Sequence, residues 1–133
     1  MLSSAILIFF VAIIFGLNIF PSAFYGKSTP KVYVYWHGPI ALLGISLVLI
    51  AVYYGRHHPV IMVSTALFIL AALGGLTLFT MDMLKKPLPG WLVVVHPILA
   101  VIALILLIIY VWEIKKDIVS IYADRQGNLN VLL

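Results

Sequence analysis

The sequence predicts an all-α integral membrane protein: a four-helix up-down-up-down bundle followed by a short C-terminal interfacial helix. Three observations predict it. Of 133 residues, 65% are hydrophobic and only 9% charged, whereas a soluble domain is roughly half apolar and about a quarter charged. The apolar residues gather into four runs, each close to the ~20 residues that cross a hydrocarbon core. The breaks between runs are short, and open strands cannot leave backbone groups unpaired in lipid, so the runs should be antiparallel helices.

The first span, Ala5 to Phe20, reads AILIFFVAIIFGLNIF without a charge, and Pro21 is expected to stop it. It is expected to be a retained helix, because MLSS has no basic n-region and no small-residue cleavage site follows Phe20. The second run goes from about Tyr33 to Tyr54, the third from about Val60 to Met83 and the fourth from about Gly90 to Trp112. Gly55 to Pro59 and Lys85 to Pro89 are the breaks between them. Both chain ends then share one face of the membrane, side A, with the loop around Arg56. The other two loops lie on side B. Tyr33, Tyr35, Trp36 and Trp91 form an aromatic belt at side B, and Tyr53, Tyr54, Tyr110 and Trp112 form one at side A.

This divides the chain into a transmembrane bundle, residues 1–112, and a C-terminal tail, residues 113–133. In the tail, Ile114, Ile118 and Ile121 recur at helical spacing among charges, then Gly127-Asn128 is expected to break the helix before NVLL. Such a segment suits an interfacial or partner-docking helix, or a solvated extension of the last span.

The formal charge of +4 comes from scattered bases. Side A holds Arg56, Lys115, Lys116 and Arg125; side B holds Lys27, Lys31, Lys85 and Lys86. With equal numbers on both faces, the positive-inside rule sets no orientation. No basic block is present to grip phosphate, so nucleic acid is not an expected partner. The absence of cysteine removes disulfides, thiolate zinc sites, cysteine-ligated iron–sulfur clusters and thiol nucleophiles.

Ionisable residues inside spans are expensive and are functional candidates by default. His37 and His96 each lie a few residues inside the side-B end of helices that run in the same direction, so they sit at similar depth. His57 and His58 fall in the loop at the opposite face. Four and seven residues after His37 come Ala41 and Gly44; four and seven after His96 come Ala100 and Ala103. Positions i, i+4 and i+7 share a helix face, so each histidine heads a smooth strip going deeper into the membrane. Gly74 and Gly75 in the third span reach about the same level. Small residues in membranes commonly mark close helix contact, but two level histidines above them also describe a slot for a flat ring.

A b-type haem needs two neutral imidazoles on opposite sides of one iron, which predicts His37 and His96 as the metal ligands. Ala41, Gly44, Gly74, Gly75, Ala100 and Ala103 are predicted to line the ring, with Asn18 as a candidate partner for a propionate. Two axial histidines leave no open position, so the expected chemistry is electron transfer. Pro39 and Pro97 follow the histidines and can either start a helix turn or kink it. Asp82, the acid near side B, lies close to Lys85 and Lys86 and could orient a histidine, accept a quinol proton or pair with a lysine, of which the surface ion pair is expected. Met81 and Met83 are expected to pack.

The segments HGPIALLG and HPILAVIA, the RHHP turn and ALGGL between them resemble the core of membrane b-type cytochromes, over roughly Tyr35 to Tyr110. Those families are the ascorbate-reducible di-haem cytochromes and the cytochrome b membrane anchors of dehydrogenases. The resemblance implies axial ligands from helices two apart, here His37 and His96, and electron exchange among haem, quinone and a partner redox subunit. A second haem on side A would need a partner for His57 or His58. Neither the first helix nor the end of the fourth supplies one, so one haem b is expected.

The expected function is therefore a cytochrome b-like electron-transfer subunit. Its expected partners are the lipid bilayer, other membrane or redox subunits, and a quinone as the diffusing one. No soluble domain is present to act as an enzyme alone, and the expected location is the cytoplasmic membrane of a prokaryote, as a multi-pass protein. The rivals are a cofactor-free accessory subunit, a chlorophyll-type pigment protein needing one histidine per magnesium, and a proton or metal-ion transporter. The last would want buried acids along a path.

Overall fold

The computed structural model describes residues 1–131, the stretch 126–131 as backbone only. Four helices follow one another: α1 (Leu2–Phe24), α2 (Lys31–Tyr53), α3 (Pro59–Met83) and α4 (Gly90–Val131). All four are long and apolar enough to cross a membrane, and the described residues contain no strand. The protein is an integral membrane four-helix bundle.

The element ends have local causes. Gly26 and Lys85 take positive φ, 64° and 53°, just beyond the ends of α1 and α3. Pro30 and Pro89 then start the next helices, each accepting bonds from backbone N–H groups three and four residues on. α3 opens with Pro59 in its first turn and with the His58 side chain accepting from Val60 N.

Two expectations change, at Pro21 and at Gly127-Asn128, and one open reading, at Pro39 and Pro97, is decided. Pro21 does not stop α1, which continues to Phe24; the ring removes one N–H but leaves φ helical. Pro39 and Pro97 lie inside α2 and α4, past the first turn. The tail is helical, but as an unbroken continuation of α4 through Gly127-Asn128 to Val131, with no separate interfacial helix. Ile118 and Ile121 on this extension are exposed, and Ile114 packs back against the core. Leu132 and Leu133, the end of NVLL, lie outside the described residues.

α1 packs most extensively along α2, and α3 along α4. The α1–α4 and α2–α3 seams close the square, while the backbones of diagonal helices stay apart. Side chains fill the axis. Phe9 of α1 and Phe68 of α3 stack face to face across it, ring centres 4.1 Å apart and 7° from parallel. Around and below them toward side A lie Leu2, Ala5, Ile45, Val48, Ala51, Ile61, Leu104, Leu107 and Tyr110, all buried. Ser64 is fully buried and donates to the Ala103 carbonyl at 2.8 Å, tying α3 to α4. Other hydroxyls, on Ser46, Thr65, Thr77 and Thr80, bond the carbonyl four residues back in their own helices. That is how hydroxyls are satisfied without water in lipid.

Packing changes with depth. The buried residues of α1, α2 and α3 all lie from the level of Ala12, Gly44 and Ala71 toward side A. On the side-B half Val93 and Thr29 are buried, while Gly16, His37, Ala41, Gly75, His96 and Ala100 are only half-buried. Most of the buried core thus lies in the side-A half, and the level of the two histidines is less fully buried.

The two hairpins are copies of one pattern, which the sequence reading did not detect. α1 and α3 end, and α2 and α4 begin, at positions 59 residues apart: Phe24 and Met83, Lys31 and Gly90. At the same offset Phe9 matches Phe68, Ala12 matches Ala71, Gly16 matches Gly75, Lys27 matches Lys86, Pro30 matches Pro89, His37 matches His96 and Ala41 matches Ala100. The positive-φ residues Gly26 and Lys85 obey it too. Parallel repeats of this kind are related by an axis along the membrane normal.

Candidate cofactor site

His37 and His96 come from diagonal helices and meet on that axis, ring centres 6.1 Å apart and 78° from parallel. Each is held by the preceding helix of its own hairpin. His37 Nδ1 lies 2.9 Å from the Ala12 carbonyl, and His96 Nδ1 lies 2.8 Å from the Ala71 carbonyl. A carbonyl only accepts, so both Nδ1 atoms carry the proton and donate it. In the neutral ring this leaves the lone pair on Nε2. Neither Nε2 makes a hydrogen bond, and no buried side-chain nitrogen or oxygen among the described residues lacks a partner. Both Nε2 atoms therefore open onto accessible space.

Glycines make the histidine positions possible. A Cβ on Gly75 would stand 2.8 Å from His96 Cε1, and one on Gly16 3.2 Å from His37 Cε1. Sequence reasoning named Gly75 but missed its equivalent Gly16, which the 59-residue offset would have revealed. Gly74 faces Leu92 and the Cβ of His96. Gly44 is buried against Phe9, whose ring lies 2.7 Å from a Cβ built there. Ala103 is fully buried, while Ala41 and Ala100 are half-buried. Thus the strips behind the histidines divide: their deeper members belong to the packed core, their upper members to the less fully buried half.

Asn18 is exposed and spends its amide on the Ile14 carbonyl at 2.8 Å. Asp82 pairs not with Lys85 or Lys86 but with Lys31 at 2.6 Å, and it also accepts from Thr29 Oγ1 at 2.7 Å. His57 and His58 lie in the loop on side A. His58, besides capping α3, stacks on Tyr110 with ring centres 5.6 Å apart.

The donor set suits haem iron. Two imidazoles binding one metal from opposite sides, each nitrogen about 2 Å from it, hold their ring centres roughly 6 Å apart. Metal-bound histidines almost always donate their second ring N–H to a carbonyl or carboxylate, as both do here. Phe9 and Phe68 fill the axis about one helical turn deeper, so a ring held by the pair would have to lie toward side B, where His37, His96 and Gly75 are only half-buried. No group of three or more His, Cys, Asp or Glu able to hold a metal occurs among the described residues, so a metal here depends on this pair and its own cofactor ring.

Compared with known proteins, the chain matches no family model, no curated protein and no solved structure.

Proposed function

We propose that the chain is a membrane electron-transfer subunit that carries one haem b between His37 and His96. One observation supports this above the others. Two repeat-equivalent histidines face each other on the bundle axis, each with Nδ1–H fixed by a backbone carbonyl and Nε2 free. The bound haem would supply reversible one-electron chemistry. The chain's own part is to hold both imidazoles in the ligating tautomer, to keep water out from side A with the Phe9–Phe68 stack and the core beneath it, and to leave side B accessible. A chlorophyll-type pigment needs one histidine per magnesium, and the matched pair favours a metal with two opposite axial positions. The competing reading is a cofactor-free accessory subunit, which the close packing of Phe9 on Gly44 favours.

A reduced-minus-oxidised optical spectrum of the protein purified in mild detergent from haem-replete cells tests the proposal. Haem bands are expected; a colourless protein that takes up no added haem overturns it.

Working as a subunit in a prokaryotic cytoplasmic membrane completes the proposal. Electrons must pass to or from a quinone or a docked redox partner, and the exposed Ile118 and Ile121 on the extension of α4 offer it an attachment. Gentle extraction is expected to recover a larger assembly, and deleting residues after Asp117 to release the chain with its haem retained. Co-purification of the truncated chain at full yield would show that the extension does not dock.

A further inference from the structure

The repeat makes the two lateral seams of the bundle comparable position by position, and on side B they differ. The α2–α3 seam is stitched. Asp82 takes the Lys31 ammonium and the Thr29 hydroxyl, Tyr35 packs edge-on against Phe79 with ring centres 6.4 Å apart, and the Tyr35 hydroxyl reaches Met83 sulfur at 3.7 Å. Moving each residue by 59 positions gives the equivalent places in the α1–α4 seam. Asp82 becomes Ala23, Lys31 becomes Gly90, Thr29 becomes Leu88, Tyr35 becomes Val94 and Met83 becomes Phe24. Every one is apolar or lacks a side chain. Among the described residues, no hydrogen bond, ion pair or ring contact joins the side-B halves of α1 and α4.

α1 is also the weaker of the two equivalent helices there. It carries Pro21, which frees a carbonyl one turn earlier, where α3 has Thr80 bonded to the Leu76 carbonyl. Gly16 adds backbone freedom beside His37. Below that level Leu2, Ala5 and Phe9 anchor α1 in the solid core. A helix fixed at one end, weakened at two positions and tied at the other to α2 alone, through Phe15 on Tyr33 and Gly16 beside His37, can swing away from α4.

We propose that the α1–α4 seam on side B is the lateral gate through which a flat, membrane-soluble ligand passes between the bilayer and the histidine pair, while the α2–α3 seam stays shut. The ligand class rests on the haem reading above; the asymmetry of the seams does not.

The test copies the latch across the axis. In the double variant Ala23→Asp, Gly90→Lys, the repeat-equivalent ion pair is placed on the open seam. Gly90 has no neighbour within 4 Å of an added Cβ, so the lysine has space. Two readouts are made on the full chain in nanodiscs. The first is amide hydrogen exchange without haem: residues 17–24 are expected to exchange at least tenfold faster than residues 76–83, and the double variant to narrow the gap. The second is uptake of added ferric haem by the haem-free protein, expected to slow several-fold in the double variant and to stay at the parent rate in Asp82→Ala. Equal exchange of the two segments, or uptake unchanged by the transplanted latch, overturns the gate. If neither protein takes up haem, the haem reading fails, and the exchange comparison still decides whether the seam opens.

Discussion

Replacing His37 or His96 with alanine is expected to abolish haem binding, with each single variant losing the reduced-minus-oxidised bands almost completely. The two rings are repeat-equivalent on one axis, so as ligands neither would have a substitute. No other histidine lies on their side of the core, because His57 and His58 occupy the side-A loop. The same measurement on His57→Ala and His58→Ala should return the parent spectrum. His58→Ala is expected to cost about 1 kcal/mol of stability as a lost helix cap, visible as a lower thermal midpoint in detergent and not as lost colour. Full haem content in either ligand variant would sink the assignment. Equal loss in all four variants would point to misfolding, which the elution profile of the purified protein would separate from ligand loss.

Much of this architecture was legible because lipid imposes it. Four uninterrupted apolar runs could only be helices, and Pro30, Pro59 and Pro89 mark where three of them begin. The matched depth of His37 and His96 followed from counting residues inward from the side-B ends of two helices that run in the same direction. What could not be read was rotation about each helix axis. A soluble helix reveals its inner face by its apolar stripe, but a span that is apolar all round does not. Hence the burial of Gly44 against Phe9 and of Ala103 in the core could not be read, and Phe9 and Phe68 drew no attention among many aromatic residues. Asp82 was assigned to its sequence neighbours Lys85 and Lys86, because nothing local announces a partner 51 residues away. The repeat escaped for a different reason: most of its equivalent positions exchange one apolar residue for another, leaving a few fixed points such as Phe, Ala, Gly and His at a constant offset.

The repeat gives those fixed points one explanation. Each hairpin supplies an aromatic ring, a carbonyl, a glycine and a histidine in the order Phe9, Ala12, Gly16, His37, and again Phe68, Ala71, Gly75, His96. The aromatic closes the axis below, the carbonyl orients the imidazole, and the glycine lets the imidazole approach the neighbouring helix. A buried imidazole N–H in lipid needs an acceptor in any case, so the two carbonyls fix the tautomer both for a ligand pair and for a packing pair.

The second large effect is expected at the glycines, where pocket and packing can be told apart. In Gly75→Leu, even the Cβ would intrude to 2.8 Å from His96 Cε1. The imidazole must rotate away, losing its bond to the Ala71 carbonyl and its place on the axis. Loss of such an outer hydrogen bond typically lowers metal affinity by ~10- to 100-fold, and the bulk of leucine adds to that, so haem should be undetectable at ordinary loading. Gly16→Leu should act the same way on His37, with Gly16→Ala milder than Gly75→Ala because its contact is looser, 3.2 Å. Gly44→Leu strikes elsewhere. Its Cβ meets the Phe9 ring at 2.7 Å, which breaks the stack on Phe68 and overpacks the core, a cost typically of ~1–3 kcal/mol. That variant is expected to lower the thermal midpoint of the haem-free protein more than Gly75→Leu does, while Gly75→Leu loses the colour. Haem titration and thermal melts of the two purified variants, side by side, check the separation. If Gly75→Leu binds haem at parental affinity, the histidine it crowds does not ligate the iron, and the facing pair is a packing device alone.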